Sequence, residues 1–199
     1  STTRPGKLSA GMLIKEPAPR DEPGMWSDCW PLATRAVSLR APTDPPQRSF
    51  LDVLQARQSS VGGRVHAQEI ADLLWYAMAP TPVGLGRAGM QVEHRPYPSF
   101  GGLCCVRVLV VYRDDQLVAL YEPREHRLDV IDVPGLIAEN DDDVALVLGH
   151  AVGCTLRFIG DLDRAQAAYT SPETLLLREA GGLSATIGLC AEWLGLRSC

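Results

Sequence analysis

The chain has 199 residues, 46% of them hydrophobic, enough for one sizeable core or for one domain with a long arm. Its net charge of −5 argues against a reader of nucleic-acid backbones, which needs a basic footprint. The most apolar run, Leu103 to Tyr112, is interrupted by Arg107 and is too short to span a bilayer. No basic stretch leading into an apolar one opens the sequence, so no secretory signal is expected.

Residues 1–48 hold eight of the fifteen prolines, and neither a helical nor an alternating period survives among them. This segment reads as an extended arm, disordered or laid across a partner subunit, with Trp26, Trp30 and Leu32 favouring the packed form. The folded domain is expected over 49–199. Ser49 with Asp52 forms an N-cap signature ahead of a short helix, "FLDVLQARQ". A second helix, "HAQEIADLLWYAM", sets Ile70, Leu73, Leu74 and Ala77 on one apolar face. Next comes a Pro-Tyr-Pro-Ser turn that runs through Phe100, Gly101 and Gly102 into "CCVRVLVVY", a buried strand. "QLVALYEP" and "HRLDVIDV" continue it as a hairpin or meander. The acids of "ENDDDVA" read as a solvated loop before an apolar run ending "LGHAV", and "LRFIGDLDRAQAAY" reads as a helix. A last long helix follows Ser171-Pro172, an N-cap with proline at the first helical position. Its seam is Leu176, Ala180, Leu183, Ile187, Cys190 and Leu194. Gly181 and Gly182 interrupt that helix at about 1 kcal/mol each, which implies a close approach to its backbone.

The six cysteines (Cys29, Cys104, Cys105, Cys154, Cys190, Cys199) show no Cys-x-x-Cys and no zinc spacing. They read as reduced thiols in a cytoplasmic protein. His66, His94, His126 and His150 are scattered, so no metal site is expected.

Three separated motifs fall in one order: "ARQSS" (56–60), "RPYPSFGGLCCVRVLVV" (95–111) and "LREAGGLSATIGLCAEWLGLRSC" (177–199). Together they resemble the nitroreductase superfamily, most closely the SagB-type dehydrogenases that oxidise azoline rings in peptides. That family shows Arg-Arg-Ser-x-Arg, then Pro-Ser-Ala-Gly-Ala before a strand, then Glu-Ala-Gly-His and a closing Leu-Gly-Leu-Gly. The resemblance implies an α+β, nitroreductase-like fold, with an antiparallel-rich central sheet surrounded by helices. It also implies a dimer, with FMN at the subunit interface. Arg57 and Ser59 take the positions that hold the flavin phosphate, a role suited to a guanidinium fork and a hydroxyl. Pro98, Ser99 and Gly101 take those that lie against the flat ring. Gly181 and Gly182 fall in the Glu-Ala-Gly-His segment and are expected at the cofactor. Of the family's catalytic Lys-Tyr pair only Tyr169 remains, after Ala168.

The sequence also departs from that pattern. Val61 stands where the third arginine of the first motif falls, Gln58 where the second does, and Gly182 where the histidine does. Ala185-Thr186 replaces a Gln-Asn pair. Two expectations follow. One is an FMN-dependent oxidoreductase acting on a peptide, a carrier-bound substrate or another natural-product intermediate. The other is a flavin-free, degenerate relative that serves as a binding or scaffold subunit. Either one is expected as a homodimer or as a heterodimer with a related subunit, with no nucleic-acid or membrane partner.

Overall fold

Val106, Val108 and Val110 alternate with Leu109 and Val111, and strand geometry sends the two sets to opposite faces. Both sets are buried, so the strand needs cover on each side. The computed structural model, which describes residues 15–27, 30–81, 84–86, 92–150 and 153–199, supplies it. Strand β3 (Val106–Tyr112) lies next to the edge of a five-stranded sheet. The order is β2 (Arg35–Ser38), β5 (Arg127–Val130), β4 (Leu117–Glu122), β3 and β6 (Cys154–Gly160), with every neighbour antiparallel. The even-numbered valines of β3 pack with α2 (Ala67–Met78) and α5 (Glu173–Leu194) through Ile70, Leu74, Leu183 and Ile187. Leu109 and Val111 pack on the other face with Val118, Leu120, Ile131 and α3 (Leu136–Leu148).

The expected hairpin, both flanking helices and the Ser49 cap are present. The Asp52 N–H donates to Ser49 Oγ at 3.1 Å and opens α1 (Phe50–Ala56). Glu69 reaches back at 2.7 Å to the N–H of His66, which caps α2. Two local readings are corrected. Residues 156–160, the first part of the expected helix "LRFIGDLDRAQAAY", belong instead to β6, which pairs along the whole of β3. The signal there has period two: Cys154, Leu156 and Phe158 join the α2–α5 core, whereas Ile159 joins the opposite face. Only α4 (Leu162–Ala168) is helical, and it starts where Asp161 accepts the N–H of Arg164 at 2.9 Å. The acids of "ENDDDVA" belong to α3 rather than to a loop. They tolerate the helix because Asp141 pairs with Arg113 and Asp143 with Arg157 on the neighbouring sheet.

Part of the proline-rich segment folds onto its own chain. β2 extends the sheet at its edge, in register Arg35↔Val130 to Ser38↔Arg127. β1 (Ala18–Pro19) pairs with β7 (Tyr169–Thr170), and the Gly24 N–H donates to the Ala167 carbonyl at 2.7 Å. Residues 1–14, Cys29 and residues 151–152 lie outside the described residues.

Helix α5 begins one residue later than Ser171-Pro172 implies. The Pro172 carbonyl accepts the N–H groups of Leu175 and Leu176, at 2.9 and 3.1 Å. Its two glycines have different surroundings. A Cβ on Gly182 would sit 2.8 Å from Pro98 Cγ, so the backbone approach read from the sequence exists there. A Cβ on Gly181 would meet nothing within 4 Å among the described residues. Gly181→Ala should therefore stabilise the fold by up to about 1 kcal/mol through helix propensity. Gly182→Ala should destabilise it by about 1–3 kcal/mol through overpacking against Pro98. Urea denaturation of the two variants checks the opposite signs.

Candidate functional site

The turn before β3 is held in a left-handed conformation at three nearby positions: Gly101 (φ 61°), Gly102 (φ 67°) and Cys104 (φ 51°). Glycine makes the first two inexpensive, and each is closely approached. A Cβ on Gly101 would lie 2.8 Å from Tyr169 Oη, and one on Gly102 would lie 3.1 Å from Val92 Cβ. The Ser99 hydroxyl accepts the Cys104 N–H at 2.8 Å and donates to Glu179 Oε2 at 2.7 Å. Glu179 Oε1 accepts the first N–H of β3, from Val106, at 2.8 Å. Phe100 meets the Tyr169 ring edge-on at 5.5 Å. Pro98, Ser99, Gly101, Gly182 and Tyr169 thus form one packed corner.

Arg57 and Ser59 lie elsewhere, in a groove of about 1020 Å³ along one side of α5. Ser184, Ala185, Ile187, Gly188, Leu189 and Ala191 form its α5 wall, and residues 60–65 and 195–199 close it. Those two segments are tied together: the Ser60 N–H donates to the Ser198 carbonyl at 2.9 Å. Gly62 and Gly63 (φ 96° and 98°) pass beneath the Arg197 side chain. Neither Arg57 nor Arg197 has an ion pair among the described residues, whereas Arg64 reaches Asp114 at 3.2 Å. Ser184 follows Gly182 by two residues, about 3 Å along the helix axis, so α5 connects corner and groove. None of Pro98, Ser99, Gly101, Gly181, Gly182 and Tyr169 lines the groove. Thr186 turns back on its own helix, donating to the Gly182 carbonyl at 2.9 Å. Arg197, which sequence reasoning did not single out, joins Arg57 and Arg64 among the groove's cations; its basic side chain beside the closing Leu-Gly-Leu was the available signal.

No family model matches the sequence, and no curated protein matches it. Among solved structures, the chain is similar to a crystal structure of a candidate nitroreductase from Ralstonia eutropha JMP134. The TM-score is 0.58 and the identity 18%, over 88% of this chain and 80% of that one. The architecture is therefore a nitroreductase-like α+β fold. Among the described residues, no helix is long and apolar enough to cross a membrane.

Glu179 is the other residue that sequence reasoning left out. It lies three residues after Leu176 on the buried seam of α5 and is only 2% exposed. A charged residue at a seam position was the readable sign. Burial raises its pKa above the ordinary carboxylate value, and the hydrogen bonds from Ser99, Val106 and Phe100 offset part of that rise. The folded chain then holds this proton more tightly than the unfolded chain does. The contribution is greatest below the unfolded pKa and is lost as pH rises through the folded one. Glu179→Gln removes the titration while keeping an acceptor for Val106. Relative to that variant, the parent chain should lose stability as pH is raised from about 4. Denaturation midpoints of both chains across the acidic to neutral range check this.

Proposed function

We propose that the chain is a flavin oxidoreductase of nitroreductase-like fold, with FMN bound in the α5 groove. The observation that carries this reading is a pair of guanidiniums, Arg57 and Arg197, with no ion pair among the described residues, on a groove large enough for a nucleotide-sized ligand. The fit is chemical as well as spatial. A phosphate wants forked donors and hydroxyls, and Ser59 and Ser60 stand beside Arg57. The α5 wall combines the short side chains of Ser184, Ala185 and Gly188 with the apolar Ile187 and Leu189, a surface suited to a flat ring. When bound, a flavin supplies the hydride chemistry that no side chain of this chain can perform.

The protein's own groups would do the binding and positioning. Arg57 and Arg197 would hold the phosphate end. Leu73, Leu148 and Phe158 would supply apolar lining that excludes water. The corner residues Pro98, Ser99 and Gly101 do not line this groove, so in this reading they would reach a flavin on a second copy or a related subunit. Tyr169 stands at that corner beside Gly101 and would position a substrate there. By its resemblance to the SagB-type enzymes, that substrate would be a peptide or carrier-bound intermediate.

A second reading rests on the substitutions in the groove itself. Val61 and Ala185 line it without offering a hydrogen bond, which favours a flavin-free binding subunit. The visible spectrum after incubation with FMN and desalting separates the two. The first reading expects retained flavin at about one per chain. Arg57→Ala and Arg197→Ala should each weaken FMN by roughly ten- to hundredfold, the value of a lost charge-assisted hydrogen bond. A folded chain that retains no flavin, or variants that bind it unchanged, would overturn the assignment.

A further inference from the structure

On the opposite side of the corner, Cys104 and Val106 form part of the wall of a separate cavity of about 140 Å³. That is well above the space one water needs. Its lining is unusually rich in guanidinium groups: Arg95, Arg107, Arg124 and Arg164 face two carboxylates, Glu93 and Glu122.

The charges are unevenly matched. Glu93, 3% exposed, is a shared counter-ion: Arg95 donates to its Oε2 through Nε at 2.9 Å and also through an amino nitrogen, while Arg124 donates to its Oε1. The Arg95 side chain is itself 9% exposed. Burial disfavours the Glu93 charge, yet the two guanidiniums outweigh it and hold the pKa below its ordinary value. Glu93 thus accepts from two guanidiniums at once. Glu122 accepts the backbone N–H of Arg124 at 3.2 Å. Arg107 stacks over the Trp30 ring at 4.7 Å and makes no ion pair among the described residues. Arg164 has a buried Nε–H with no hydrogen-bond acceptor among the described residues. A buried charged donor left unpaired is costly, so such a group marks a place where an acceptor belongs.

We propose that this cavity is a binding site for a small oxyanion, a carboxylate or phosphate group, held by Arg164 with Arg95 and Arg124. Two chemical features favour such a ligand. Guanidinium forks match carboxylate and phosphate oxygens in pairs. Among the lining residues four guanidiniums face two carboxylates, the sign that attracts an anion, and the polar, partly enclosed lining limits the competition from water. The site is independent of the α5 groove, since no residue lines both.

The test is titration of the full chain with sodium phosphate, and separately with sodium acetate, at fixed ionic strength. Binding is followed through the Nε–Hε NMR signals of the arginines. Saturable movement of the Arg164 signal with either anion is the expected result, and whichever anion binds more tightly identifies the group. Arg164→Gln should weaken that binding about tenfold or more, read from the Arg95 signal, and Arg124→Gln should weaken it in the same direction. Arg164→Lys, which keeps the charge without the fork, should recover part of the loss. Arg57→Gln should leave it unchanged, which separates this cavity from phosphate held in the groove. Circular dichroism confirms that each variant is folded. An Arg164 signal unmoved by both anions overturns the proposal. So does binding that survives Arg164→Gln in a folded chain, or that is lost with Arg57→Gln.

Discussion

One buried carboxylate fixes the relation between the last helix and the central strand. Glu179 joins α5 to the first N–H of β3 and to the Ser99 hydroxyl that organises the turn before it. A buried charge is tolerated only when its oxygens are occupied, and here both are. Because those partners come from residues 99 and 106, the interaction spans more than seventy positions of sequence and holds two faces of the molecule in register. The left-handed glycines, the Pro98–Gly182 approach and the Tyr169–Gly101 contact are all arranged around it.

This constraint changes the meaning of the turn. A proline, serine and glycine run before a strand looks pliable on paper, and a planar ligand lying on it is one way to account for such a corner. In the folded chain the corner is tied from within. Ser99 is engaged with Glu179 and Cys104, and Gly101 and Gly102 are glycines because Tyr169, Val92 and Glu93 come too close for a side chain. The groove on the other side of α5 has a different character: among the described residues two of its cations, Arg57 and Arg197, have no ion pair, and Ser184, Ala185 and Gly188 keep part of its wall low. One helix thus separates a satisfied corner from an unsatisfied groove.

The parts of the fold legible in the sequence were those with a local period or a local cap. The Ser49 cap, the Ile70–Ala77 face of α2, the seam of α5 and the β3–β4–β5 meander all depend on near neighbours, and they stand as read. β6 was misread because Arg157 and Gly160 blur a two-residue alternation that becomes clear only when β3 is placed alongside. α3 was misread because clustered acids disfavour a helix unless Arg113 and Arg157 arrive from the sheet to meet them. β2 was invisible because an edge strand among prolines takes its hydrogen bonds from β5 and shows almost no apolar pattern of its own. For the site, motif positions located Arg57 and Ser59 in the groove, but nothing local showed that the corner residues would not line it. Glu179 and Arg197 needed the tertiary fold to reveal what they touch.

The tie between Ser60 and Ser198 has a consequence for how the groove comes into being. Its rim joins two stretches of chain almost 140 residues apart, with Arg197 lying over the Gly62–Gly63 backbone. Such a rim does not exist in any fragment that lacks either stretch, and it forms only after α1 and α5 have docked. Occupancy of the groove is therefore thermodynamically linked to closure of the whole chain, and any ligand held there would be counted in the stability of regions it never touches.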